Sequence, residues 1–197
     1  MNAPLSLTKP RQARLTIEDF LVLDRTGAFD SYSKSELIDG TIYVVNAQFS
    51  RHMKAKVRLL LRLAAACERL GTGLEVWSEG SVAFAPASMP EPDLFITTRT
   101  PASGNAQSDR IPVSADDVAL IVEIAQTTLA FDLGKKAMAY AKGGLAEYWV
   151  VDLSGGRIHR HWNPTSKGFA ERDEFELGAV ARSVTIPQLA IATDGLD

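Results

Sequence analysis

The sequence predicts an α/β (α+β) domain, and three features carry that reading. Ser50–Leu70 has the period of a long amphipathic helix, and Val118–Ala125 is nearly all apolar, as in a strand covered on both faces. Between Ser35 and Thr97, short β-rich runs are separated by Gly and Pro, the punctuation of antiparallel strands. The 197 residues, 46% apolar and 23% charged, suffice for one globular domain with a core. We read residues 14–197 as that domain and residues 1–13 as a disordered segment.

The first element is a short helix. Thr16 precedes Ile17, Phe20, Leu21 and Leu23 at helical spacing, and Asp19 completes a capping box. Residues 35–38 and Thr41–Val45 form two strands joined by Asp39-Gly40, a pair that accepts the positive φ angles of a tight hairpin turn. In Ser50–Leu70, Ser50 caps the start, Met53, Val57, Leu60, Ala64 and Cys67 make an apolar face, and Gly71 stops the helix. Arg51, Lys54, Arg58 and Arg62 make a basic stripe that is either solvated or in contact with phosphates.

Residues 74–78, 81–85 and 93–97 read as three strands of an antiparallel meander, and 98–116 as a long loop. After the buried strand Val118–Ala125, residues 129–142 are helical up to Gly143-Gly144, and Glu147–Asp152 is again β-rich. Ser154-Gly155-Gly156 turns the chain back through 158–162, and weaker strands follow at 169–177 and 183–186.

Charge and composition remove several function classes. With 21 basic and 24 acidic residues the net charge is −3, so a polyanion can be attracted only by a local patch. Cys67 is the one cysteine; it allows neither an internal disulfide nor a Cys-rich zinc site, fits a reducing cytoplasm, and reads as a small core residue. The longest apolar stretches, 59–67 and 118–125, are interrupted by Arg62 and Glu123 and are too short for a membrane span. P-loop, dinucleotide and Gly-x-Ser-x-Gly motifs are absent from the sequence.

The chemistry then rests on a few residues. Glu123 interrupts the most apolar strand, and a buried carboxylate costs several kcal/mol unless something compensates it. Either the strand ends at Val122 and Glu123 is solvated, or Glu123 has a cation. Asp93, before Leu94-Phe95-Ile96, poses the same choice. Lys136 falls on the stripe of Leu129, Leu133 and Tyr140, so it points inward as a partner for Glu123, or snorkels and pairs with Asp132. Two strand carboxylates and a helix lysine are what Mg²⁺- or Mn²⁺-assisted phosphodiester hydrolysis uses. His52 reads as a phosphate contact or a polar first-turn residue. His159 and His161 lack the further ligands of a zinc site, and Tyr148 and Trp149 read as core.

Residues 122–132 (Val-Glu-Ile-Ala-Gln-Thr-Thr-Leu-Ala-Phe-Asp), with Lys136, Tyr140, Gly144 and Glu147–Asp152, resemble the signature of the Uma2 family of restriction-endonuclease-like proteins. Glu36-Leu37-Ile38-Asp39-Gly40, His52 and Pro92-Asp93 match its other marks in order, and the resemblance spans roughly residues 15–190. It implies the PD-(D/E)XK nuclease superfamily, with a restriction-endonuclease-like mixed β-sheet flanked by helices. Asp93 and Glu123 are then metal ligands, Glu36 an auxiliary acid, and Lys136 the catalytic amine. The chain departs from the common pattern twice: Ala125 stands where a strand lysine is usual, and Gln126 replaces an Asp or Ser.

The expected activity is a cytoplasmic, Mg²⁺- or Mn²⁺-dependent endonuclease acting on nucleic acid, DNA foremost. Asp132, Tyr140 and His52 support its site, and Arg51, Lys54, Arg58 and Arg62 are candidate phosphate contacts. A homodimer would serve two antiparallel strands. The rivals are a non-catalytic nucleic-acid-binding module on the same scaffold, and a homo-oligomeric structural protein whose acids and lysine form an ion-pair network.

Overall fold

The computed structural model describes residues 11–46, 50–98 and 110–196. Most of the segment expected to be disordered lies outside these; residues 11–13 are exposed and irregular. In chain order the elements begin with α1 (Ile17–Arg25), the strands β1 (Lys34–Ile38) and β2 (Thr41–Val45), and α2 (Ser50–Leu70). There follow β3 (Glu75–Ser78), β4 (Val82–Ala83), β5 (Leu94–Thr97), β6 (Val113–Ser114) and β7 (Val118–Ala125). Next come α3 (Leu129–Phe131), a π-helical turn (Asp132–Lys136) and α4 (Ala137–Lys142). The chain finishes with β8 (Glu147–Asp152), β9 (Arg157–Thr165), β10 (Gly168–Glu176), β11 (Val180–Arg182) and β12 (Ala190–Ala192).

Six strands form the central sheet in the order β10-β9-β8-β7-β5-β3. Every neighbouring pair is antiparallel except β7 and β8, which run parallel from Leu120↔Glu147 to Ala125↔Asp152. A parallel pair needs a crossover, and α3, the π-turn and α4 supply it. Because side chains alternate along a strand, β7 feeds two cores. Leu120, Val122 and Ile124 pack with Leu59 and Leu63 of α2 and with Ile186, Ile191 and Leu196 of the C-terminal segment. Ile121 and Ala125 pack with Phe95, Tyr140, Tyr148 and Val150 on the other face. Each such aliphatic side chain contributes roughly 1.5–3 kcal/mol by leaving water. Glu123 shares the parity of Ile121 and Ala125, so it is directed at the crossover helix.

The hairpin β1-β2 stands outside the central sheet. Its turn is the expected one: Asp39 and Gly40 have φ 47° and 73°, and a Cβ on Gly40 would come within 2.7 Å of the Arg14 Cβ. Thr16 and Asp19 form the reciprocal capping box of α1, and Phe20, Leu37 and Met89 join α1 to the hairpin in a third core.

Several expectations are corrected. The inward face of α2 is Ala55, Lys56, Leu59, Leu63, Ala66 and Cys67, whereas Met53 and Val57 are 51% and 55% exposed. Apolar residues surround most of the helix between Leu59 and Cys67, so periodicity leaves its phase open. Ser50 lies within the helix, so the capping position falls on a residue outside those described. Residues 81–85 do not form the middle of a meander. β3 pairs directly with β5, while β4 leaves the sheet and pairs in parallel with β6, inside the stretch read as loop. Residues 183–186 are not a strand, because their donors are used elsewhere. The fully buried Glu147 carboxylate accepts from the Ser183 and Thr185 hydroxyls and from the Val184 and Thr185 amides. The helix at 129–142 is interrupted by the π-turn.

Candidate active site

Five segments bring their polar residues to one cavity of about 300 Å³, lined among others by Glu36, His52, Asp93, Glu123, Asp132 and Lys136. β1 supplies Glu36, α2 supplies His52, the approach to β5 supplies Asp93, the middle of β7 supplies Glu123, and the π-turn supplies Asp132 and Lys136. Lys136 and Tyr140 are four residues apart across the start of α4, the spacing that puts both on one helix face and lets them reach the same carboxylate. Lys136 Nζ lies 2.8 Å from Glu123 Oε1 and 2.9 Å from Glu36 Oε1. The Tyr140 hydroxyl donates to Glu123 Oε1 at 2.7 Å. Glu123 is thus buried at 2% exposure and paired, the second of the two readings open from sequence.

Asp93 is equally enclosed. Its Oδ2 accepts from the Ile124 amide at 2.9 Å and meets His52 Nε2 at 3.0 Å; its Oδ1 is 3.5 Å from Lys56 Nζ. The two strand carboxylates adjoin, the Asp93 amide approaching Glu123 Oε2 at 3.4 Å. Glu36 also accepts from the Glu91 amide at 2.8 Å. Asp132 does not pair with Lys136; its Oδ2 accepts from the Thr128 hydroxyl at 2.6 Å.

The site's electrostatics follow from burial working against pairing. Burial alone would raise the Asp93 pKa, but the His52 hydrogen bond, the Lys34 charge and the Ile124 amide outweigh it and hold the carboxyl well below its usual range. Glu36 is likewise lowered, burial being outweighed by Lys136 and Lys34. Burial would strip the proton from Lys136; Glu123, Glu36 and Asp132 oppose this and raise it well above the ordinary lysine value. Asp132 has no such cation at contact distance, and burial followed by the Glu123 charge pushes it up to about 7. Burial and Glu123 also raise the Tyr140 phenol.

A divalent ion has oxygen donors here but not a finished cage. Among the described residues no three His, Cys, Asp or Glu side chains converge as a ligand set. Among the described residues, however, Glu123 Oε2 has only its long contact to the Asp93 amide, and Gln126 Oε1 is buried without a hydrogen-bond partner in the same cavity. Together with Asp93 these are hard oxygens of the kind Mg²⁺ and Mn²⁺ prefer.

The basic stripe on α2 lies apart from this centre. Arg51 donates to the Leu153 carbonyl at 2.7 Å, Arg58 to that of Gly195, and Arg62 to those of Ala192 and Asp194 at 2.8 Å each. Three of its four members tie down other segments; Lys54 is exposed. Sequence reasoning also passed over Lys34 and Lys56, which supply positive charge beside the acids. Lys56 follows His52 by one helical turn, a signal readable only once the phase of α2 is known. Tyr43 and Phe131, 4.7 Å apart between ring centroids, form an aromatic wall of the cavity that sequence reasoning also missed.

A sequence profile of the Uma2 family, described as "Putative restriction endonuclease", matches residues 17–194. The chain belongs to the Uma2 family. Among solved structures, a crystal structure titled as a "putative nuclease belonging to DUF820" from Anabaena variabilis ATCC 29413 superposes with a TM-score of 0.70 at 19% identity. The match covers 92% of this chain and 97% of that one. At that identity the likeness shows the fold: this Uma2 protein has the mixed sheet and flanking helices of restriction-endonuclease-like nucleases. No curated protein matches the sequence.

Proposed function

We propose that this Uma2 protein is a divalent-metal-dependent endonuclease that hydrolyses phosphodiester bonds, with DNA as its first substrate. The reading is carried by one observation: a fully enclosed ammonium, Lys136, is fixed between Glu123 and Glu36 in a cavity that also holds Asp93. Asp93 and Glu123 would hold Mg²⁺ or Mn²⁺, helped by the free oxygen of Gln126, with Glu36 as the auxiliary acid. The ion supplies Lewis acidity toward the phosphate and lowers the pKa of a water.

The remaining work falls to the chain's own groups. Lys136 keeps its proton at neutral pH, so it acts as a fixed positive donor toward a developing phosphorane and not as a base. Glu123 and Glu36 hold that ammonium in place, and the Tyr140 hydroxyl fixes Glu123 by donating to its Oε1. His52 orients Asp93 through Nε2, while its Nδ1 is buried without a partner and available for a polar contact. Asp132, close to neutrality in pKa, can give up or take a proton at the cavity wall.

Purified protein incubated with plasmid and single-stranded DNA, with Mn²⁺ or EDTA, checks the reading beside Glu123→Gln and Lys136→Met. Cleavage by the wild type alone, and only with metal, is expected. Equal cleavage by all three would mark a contaminant. Binding without any cut under every metal would move the protein to the non-catalytic rival.

A further inference from the structure

If the reading above holds, a polyanion must reach the cavity, and the arginines of α2 already hold backbone carbonyls. Another surface carries unpaired positive charge. A second cavity of about 570 Å³ lies between the hairpin and the crossover helix and shares Tyr43 with the first. A third, of about 360 Å³, shares Gly134 and Met138 with the second and is lined by His161, Lys167 and Arg172. The three depressions therefore adjoin in a row, the second and third meeting at Gly134 and Met138.

Lys135 and Lys142 belong to the second cavity. Lys135 stands in the π-turn and Lys142 at the end of α4, and lining one cavity puts both on the same side of the crossover. Lys135 donates to the Tyr43 hydroxyl at 2.6 Å, beside the mouth of the first cavity. Arg172 stands opposite His161 across β9 and β10, on the face turned to α4. Its neighbours Glu171 and Asp173 alternate to the other face, where Trp162 and Arg160 engage them. Lys135, Lys142, Lys167 and Arg172 are all exposed, and among the described residues none has a carboxylate at ion-pair distance. Among the described residues, the one acid lining the second cavity, Asp39, is paired with Arg14 at 2.6 Å.

We propose that the sugar-phosphate backbone of the nucleic-acid substrate runs from the first cavity across this track, bound by Lys135, Lys142, Lys167 and Arg172. On a chain of net charge −3, four uncompensated cations in one row beside the candidate centre form a local patch of the sign a phosphate backbone needs. Tyr43 and Phe131 mark the point where the strand enters the first cavity.

Fluorescence anisotropy with a labelled oligonucleotide in EDTA, repeated over a range of salt, tests the track on the full chain. The variant carrying Lys135→Gln, Lys142→Gln, Lys167→Gln and Arg172→Gln should bind at least tenfold more weakly. Its log K against log salt should be shallower by about 3, since each lost phosphate contact removes roughly 0.7–0.9 from the slope. In Mn²⁺ it should raise KM tenfold or more and leave kcat within twofold. Arg58→Gln with Arg62→Gln should leave the slope unchanged. The mutated groups are exposed, and a wild-type melting profile confirms folding; Lys142→Glu alone should weaken binding in the same direction. A wild type that binds or cuts DNA, with a four-site variant of unchanged slope and KM, would overturn the track and leave the nuclease reading standing. A wild type that neither binds nor cuts would remove both.

Discussion

Lys136 shows how one buried charge organises the site. Its ammonium bridges two buried carboxylates and is the cation in contact with Glu123, while Glu36 also has Lys34 at 3.9 Å. Removing one partner of a buried ion pair costs about 3–5 kcal/mol, because the other charge stays behind. Lys136→Met should therefore lower the urea unfolding free energy by about that amount, and adding Glu123→Gln should recover part of it. Full additivity of the two changes would mean the pair does not couple. Tyr140→Phe keeps the ring in its core position but deletes the donor to Glu123, a charged hydrogen bond worth roughly 1.5–3 kcal/mol. The presence of Glu123 in an apolar strand and of Lys136 on an apolar stripe was legible in sequence, since each broke a hydrophobic pattern. Their meeting at 2.8 Å was not, because it depends on the register of β7 against a helix whose π-turn leaves no mark in composition.

Among the elements, legibility followed the number of independent local signals. The hairpin turn at Asp39-Gly40 and the cap at Thr16 were both read correctly, each from a pair of residues whose backbone chemistry is specific. The phase of α2 was misread because leucine and alanine cover most of its circumference, and because a basic residue of the helix need not face solvent. Lys56 turns inward to Glu79 at 2.7 Å, while Met53 and Val57 turn out. The order β3-β5 and the short β4-β6 pair depend on contacts distant in sequence, to which strand propensity is blind. The observed phase makes a direct prediction. Leu63→Ala opens a cavity against β7 and the C-terminal segment and should cost about 2–5 kcal/mol, whereas Val57→Ala on the exposed face should stay within about 0.5 kcal/mol. Urea midpoints of the two variants distinguish this phase from the one read in sequence, which would give Val57 the larger cost.

Across the molecule, buried groups on different elements set the response of stability to pH: His161 of β9 and Asp132 of the π-turn. His161 is pushed down to about 4, first by burial and then by the charges of His159 and Arg172. Between pH 4 and its ordinary value near 6.5, the unfolded chain binds a proton there that the folded chain refuses, so stability rises with pH through that window. Asp132 is pushed up to about 7 by burial and by Glu123, so between pH 4 and 7 the folded chain holds a proton that the unfolded chain has lost, and stability falls as pH rises. Burial also raises Glu91, which acts in the same sense as Asp132. The lowered carboxyls of Asp93 and Glu36 contribute stability above the unfolded carboxylate value and lose it only in more acidic solution. The wild type, freed of metal with EDTA, should therefore have a shallow profile from pH 4.5 to 6.5, the two slopes opposing each other. Asp132→Asn removes the larger falling contribution, leaving that of Glu91, and should tilt the profile so that the protein gains stability as pH rises. His161→Gln removes the rising one and should give the reverse. Urea midpoints at half-unit pH intervals read both slopes, and variants whose profiles tilt the same way would contradict the opposed burial of these two groups.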